Sequence, residues 1–132
     1  MSERVVTLTT VATAEDAERI ARSLVERRLA ACVNVVPGVV SLYRWKGEVC
    51  RDEERLLVVK TRGEKLEALR LAIVELHPYE LPEVLALPVE AGHGPYLAWL
   101  DECVTSAVAL PPAGRPASQR AARSRKPRTS TR

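Results

Sequence analysis

Apolar and polar positions alternate from Val5 to Val11, with Val5, Thr7, Thr9 and Val11 on one side and Val6 and Leu8 on the other. A β-branched run with this period predicts a strand. At Thr13 the period changes. Thr13 precedes Asp16 by three positions, a capping-box arrangement, and Ala17, Ile20, Ala21 and Leu24 follow at helical spacing. Glu18, Arg22 and Glu26 take the wet face, and the helix is predicted to end near Leu29. Ala31 to Trp45 reads mostly as strand, interrupted at Pro37-Gly38, and Gly47 marks a turn. The next strand centres on Leu56-Leu57-Val58-Val59, a continuous apolar run that suits a central strand covered on both sides. Gly63 ends it. Leu66, Leu69, Ile73 and Leu76 predict a helix from about Glu64 to Leu76, which Pro78 stops. Pro82 and Pro88 bracket a short strand with Leu85 and Leu87. After Gly92-His93-Gly94, Pro95 suits the first turn of a last helix with Leu97, Leu100, Val104 and Ala107 as its stripe.

The order is β-α-β-β-α-β plus a terminal helix. It predicts an α+β fold, the ferredoxin-like split βαβ sandwich. The periodic part defines one domain, residues 1–108. From residue 109 onward Pro, Ser, Ala, Arg and Thr replace the apolar pattern, and such a segment cannot offset its ordering entropy by burial, so 109–132 is expected to be a disordered basic tail. The central hairpin carries a further implication. Its first arm, Ala31 to Trp45, would reach roughly 50 Å if extended at about 3.3 Å per residue. A domain of this size has a radius of gyration of only about 13 Å. The arm therefore bends sharply at Pro37-Gly38 or projects beyond its own domain. Projecting edges need covering, and a symmetric oligomer covers them most economically.

Charge divides the chain in the same way. Up to Val104 there are 13 Lys and Arg against 17 Asp and Glu; from Thr105 on there are seven basic residues and no acidic ones. The overall +3 thus averages a mildly acidic domain and a basic tail. Arg115, Arg120, Arg123, Arg125, Lys126, Arg128 and Arg132 can make non-specific contacts with nucleic acid or acidic surfaces. The tail has no aromatic residue for base stacking, so specific single-strand recognition is not expected. No apolar run is long enough to span a membrane. The start, Met1-Ser2-Glu3-Arg4, lacks a signal-peptide pattern, so a cytoplasmic protein is expected, with Cys32, Cys50 and Cys103 as reduced thiols. Their odd number and wide spacing give no C-x-x-C pair and no ready-made zinc site within one chain.

Five segments together carry a family resemblance: Ala31-Cys32-Val33-Asn34-Val35, Ser41 to Gly47, Glu54 to Thr61, His77-Pro78-Tyr79-Glu80-Leu81-Pro82-Glu83, and Tyr96 to Leu100. In this order, over about Val5 to Val104, the chain resembles the CutA family of divalent-cation tolerance proteins. The resemblance implies a homotrimer of ferredoxin-like subunits and a link to divalent-metal tolerance, with copper as the commonly named ion. It implies no defined enzymatic reaction and no obligatory cofactor. It also places at Cys32 a cysteine put forward in the family as a copper ligand. Cys50 and Cys103 follow no evident family pattern.

Each candidate site residue has a second reading. Cys32 offers a soft thiolate suited to Cu(I), or it is a small buried strand residue. His77 offers an imidazole for Cu(II) or Zn(II), or it bonds the last carbonyls of the helix that ends before Pro78. His93, expected to be exposed in its Gly-rich loop, can add an adventitious surface site. Asp52 and Glu54 point together by strand alternation and suit hard cations, or they form a solvated hairpin end. Glu54 lies on a matched segment, and in a trimer it can pair with Lys60, Arg44 or His77 of a neighbour. Tyr43, Trp45, Tyr79 and Trp99 are expected in the subunit contacts, where aromatics are enriched.

No G-x-S-x-G, H-E-x-x-H or Walker-A pattern is present, and Ser41 and the cysteines lack an identifiable base. The chain is therefore expected to bind a ligand and not to transform it. The alternative to a metal-response protein is a trimeric regulatory module, similar in architecture to the PII signal proteins, that binds a small anion or a partner protein in its intersubunit clefts.

Overall fold

In the computed structural model, which describes residues 3–105, the first alternating run is β1, Arg4–Val11. Every second residue is buried: Val5, Thr7, Thr9 and Val11. Ala107 and the expected tail 109–132 lie outside the described residues.

The Thr13 hydroxyl accepts the Asp16 N–H at 3.1 Å and starts α1, Ala14–Glu26. This satisfies one of the orphan donors of the first turn. The helix stops earlier than its stripe suggests, because Arg28 takes a left-handed backbone with φ +59. Leu29 and Ala30 then return their N–H groups to the Leu24 carbonyl.

β2 (Cys32–Trp45) and β3 (Glu48–Arg62) form one long hairpin, with Gly47 at φ +84 in its turn. Pro37-Gly38 does not break β2, as the sequence suggests. It makes a bulge, seen as a register shift between Val36 and Val39, and Gly38 supplies the positive φ of 77 there. A bulge bends a strand and raises its twist without ending the pairing. A 3-10 turn, Gly63–Lys65, precedes α2, Leu66–Leu76, so the helix begins slightly later than expected. β4 (Leu85–Pro88) and α3 (Gly94–Thr105) follow.

The four strands form an antiparallel sheet of order β2-β3-β1-β4. This is the expected ferredoxin-like α+β arrangement. α1 and α2 cover one face. Their core packs Ile20, Leu24, Leu69 and Ile73 on Val11, Leu57 and Val59, all 0% exposed. Within it lie the hydroxyls of Thr7, Thr9 and Thr61, buried with no hydrogen-bond partner among the described residues.

The second face is only partly covered. α3 crosses one end of it and packs Leu100 and Val104 with Ala31. Asp101 fixes that position. It accepts two bonds from Arg4, at 3.0 and 2.7 Å, and one from Arg62 at 2.9 Å. Arg4 and Arg62 stand directly opposite each other on β1 and β3. Towards the hairpin this face is open: Leu56 and Val58 are only half-buried, and Val36, Leu85 and Leu87 are exposed. β3 is thus an inner strand covered fully on one side and partly on the other, not on both as its apolar run suggests.

Candidate functional site

β4 pairs with Val5 to Leu8 only, so Thr10 lies past its end. His77 takes over there. Its Nε2 lies 2.8 Å from the Thr10 carbonyl oxygen, and its Nδ1 lies 3.1 Å from the Tyr79 backbone N–H. A carbonyl can only accept and a backbone N–H can only donate. The ring is therefore the neutral tautomer with its proton on Nε2, and both nitrogens are occupied. His77 is 7% exposed, and its own N–H closes α2 on the Ile73 carbonyl.

Tyr79, held by His77, packs its ring 4.6 Å from the imidazole. Its hydroxyl donates to Glu54 Oε2 at 2.5 Å. A hydrogen-bonded path thus runs from Thr10 through His77 and Tyr79 to Glu54. On the hairpin, the Tyr43 hydroxyl donates to Asp52. That bond, helped by lost solvent, pushes the Tyr43 phenol up to about 12. Burial raises the Tyr79 phenol further, and the bond and charge of Glu54 add to it. Each carboxylate makes loss of the nearby phenolic proton harder.

Tyr43, Glu54 and Tyr79 line a cleft of about 580 Å³ between the hairpin arm and the segment from Tyr79 to Glu83. Val40, Ser41, Leu42, Tyr43 and Trp45 form the arm wall, with Glu54 and Thr10 at the base and Glu80, Leu81 and Glu83 opposite. Glu54 is only 6% exposed. Every ionisable group of the lining, apart from the tyrosines, is a carboxylate, and none of the lining residues is basic.

Of the residues singled out in the sequence, the structure gathers Glu54, His77, Tyr43, Trp45 and Tyr79 around this cleft. It does not bring Cys32 there. Cys32 pairs with Lys60, six positions along β3 from Glu54, which is about 20 Å at roughly 3.3 Å per residue. Trp99 also stands apart, on α3 beside Tyr96 at a ring distance of 5.4 Å. Exposed His93 has its carbonyl on the Leu97 N–H at the start of α3. Thr10, Glu80 and Glu83 join the cleft residues; Glu80 and Glu83 lie in the matched segment that begins at His77, and nothing in the sequence sets Thr10 apart.

A metal ion fits this arrangement poorly within one chain. Among the described residues no three His, Cys, Asp or Glu side chains converge on one point. His77 has no free lone pair, and the soft ligand Cys32 is remote from the carboxylates. Structural sites for such ions take four or more ligands at about 2.0–2.6 Å.

Fold and cleft together define a class: a small α+β sheet protein with a projecting hairpin and an acidic, aromatic-walled cleft. Comparison with known proteins narrows it. A family profile described as "CutA1 divalent ion tolerance protein" matches residues 5–103. The divalent-cation tolerance protein CutA of Thermus thermophilus is 53% identical over 97 residues, covering 74% of this chain and 94% of that one. Human protein CutA is 48% identical over 90 residues, covering 68% of this chain but only 50% of its own length. The solved structure of the Thermus thermophilus protein superposes with a TM-score of 0.75 at 50% identity, over 76% of this chain and 98% of that one. That of CutA1 from Oryza sativa gives 0.77 at 42%, over 80% and 97%. The chain belongs to the CutA1 divalent ion tolerance family.

Proposed function

We propose that this protein is a homotrimeric binding protein of the divalent-metal response, that it catalyses no reaction, and that it holds copper or a similar soft ion with modest affinity through ligands from more than one subunit. The observation that supports this reading is the position of Cys32. It is half-buried on the face of the sheet that α3 only partly covers. A neighbouring subunit packed against the exposed Val36, Leu85 and Leu87 would bring its own side chains towards that thiol. Thiolate is the protein ligand best matched to Cu(I). Among the described residues one chain offers no second ligand set, so affinity should be limited and tied to assembly.

The test combines sedimentation with Cu(I) titration under reducing conditions, on the protein and on Cys32→Ser. A trimer with copper binding that weakens in the variant supports the reading. A stable monomer at micromolar concentration, or unchanged stoichiometry and affinity in a trimeric variant, overturns it.

A further inference from the structure

Two charges on the open face of the sheet find no opposite charge within their own chain. Glu54 is only 6% exposed and accepts the Tyr79 hydroxyl, but no Lys, Arg or His among the described residues forms an ion pair with it. Lys60 is half-buried and likewise forms no ion pair with a described residue. β3 runs regularly between them, because the extra residue of the Val36–Val39 bulge belongs to β2. Alternation therefore points both side chains to the same side of the sheet, with Leu56 and Val58. They stand six positions apart, about 20 Å at roughly 3.3 Å per residue, too far to meet. The face between and beside them is apolar: Leu56 and Val58 on β3, exposed Val36 on β2, exposed Leu85 and Leu87 on β4. The other two cations of this face, Arg4 and Arg62, are both bound to Asp101.

We propose that Lys60 of the partner subunit enters the cleft and pairs with Glu54, so that each cleft is completed by the next copy of this chain. The pairing rests on the trimer reading above and specifies which groups hold it in register. A closed trimer is built head to tail, one patch of each subunit meeting a different patch of the next. A face with an unpaired carboxylate at one end and an unpaired ammonium at the other is complementary to a copy of itself in that arrangement. Charge pairs of this kind fix register across an interface. The other bases near the cleft are committed elsewhere. His77 uses both ring nitrogens within its own chain. Arg44 stands opposite Val49, on the other side of the hairpin from Glu54, and donates to the Gly47 carbonyl at 3.5 Å. The cleft also suits a lysine in shape. Tyr43, Trp45 and Tyr79 can cover its methylenes, and its ammonium has three donors for an acceptor-rich base.

The test is a double-mutant cycle on the full chain, read by thermal unfolding at one fixed protein concentration with sedimentation of every variant. Glu54→Gln removes the charge but keeps an acceptor for Tyr79. Lys60→Met removes the charge but keeps an apolar stem. Each should lower Tm by about 5–15 °C, because each leaves the other charge buried and unpaired. The double variant leaves neither, and should fall no further than the worse single. Two sites about 20 Å apart in one chain contribute additively, so a coupled loss reports contact between chains. Lys60→Arg, which keeps the charge, should recover most of the Lys60→Met loss. Arg44→Met should add to Glu54→Gln without coupling. Losses at Glu54 and Lys60 that simply add in trimeric variants overturn the pairing and leave the trimer standing. An unchanged Tm in either single variant does the same. A parent that sediments as a monomer overturns both, whereas a dimer with coupled losses overturns the trimer and keeps the pair.

Discussion

Replacing His77 with Leu separates a ligand histidine from a structural one. The substitution keeps a side chain of similar bulk but removes both ring nitrogens. The Thr10 carbonyl and the Tyr79 N–H then lose their partners at 2.8 and 3.1 Å. Leaving a buried polar group unmade costs about 1–3 kcal/mol, and here there are two. The nearby cleft lets water reach one of them, so the gross cost is about 2–4 kcal/mol. Leucine recovers about 1 kcal/mol by burying more apolar surface. The net loss is about 1–3 kcal/mol. For a domain of this size each kcal/mol moves Tm by about 4–8 °C, so a fall of roughly 5–20 °C is expected. The assay is thermal unfolding in chelator at one fixed protein concentration, since Tm of a protein that self-associates depends on concentration. His77→Gln retains one polar group and should fall between the two. An unchanged Tm in metal-free protein, together with lost copper binding, would refute the structural assignment and make His77 a ligand.

Thr9→Val replaces a hydroxyl that is 0% exposed and unbonded with a methyl of the same shape; it should stabilise the protein by about 0.5–1.5 kcal/mol in urea unfolding, and destabilisation would mean that the hydroxyl has a partner. Asp101→Ala leaves Arg4 and Arg62 facing each other across β1 and β3 with no shared carboxylate, so amides of residues 94–105 should exchange faster while those of β1 and β3 hold. The Arg4 bond, with help from Arg62 and against some burial, holds the Asp101 carboxyl below its ordinary value. A depressed folded value means the contribution is complete above the unfolded value near about pH 4 and is lost as pH falls through the lower folded one. Exchange in α3 should therefore rise below about pH 4 in the parent protein and show no such step in the variant.

The strands and helices were legible because burial leaves a period. Val5, Thr7, Thr9 and Val11 alternate whether or not the partner strand is known, and the α1 stripe shows which face is wet. Where two local signals competed, the sequence did not decide. Pro37-Gly38 has the composition of a break and serves as a bulge, because pairing on both sides of it outweighs one lost register. Leu56 and Val58 look as buried as Leu57 and Val59, but coverage of the second face depends on where α3 ends, which no strand pattern encodes. The cleft was the least legible part. His77 and Thr10 are 67 positions apart, and Tyr79 and Glu54 are 25 apart. Glu80 and Glu83 read as ordinary loop carboxylates until the segment from Tyr79 to Glu83 is seen folded against the hairpin arm. Chemistry assembled across the chain leaves only residue types in the sequence, without their mutual distances.

The Arg4–Asp101 clasp joins positions 97 apart in the chain at 2.7 Å. The first and last described elements of the domain therefore finish side by side, with Thr105 only one helical turn beyond Asp101. In a version cut back to residues 3–105, a few residues of linker would join them into a ring. New ends opened at the exposed Lys46-Gly47 turn would cut no element of the helix-covered core. The chain's natural order is then one of several that this architecture can accept, and a circularly permuted protein would carry its ends at the hairpin tip and its new peptide linker beside the clasp.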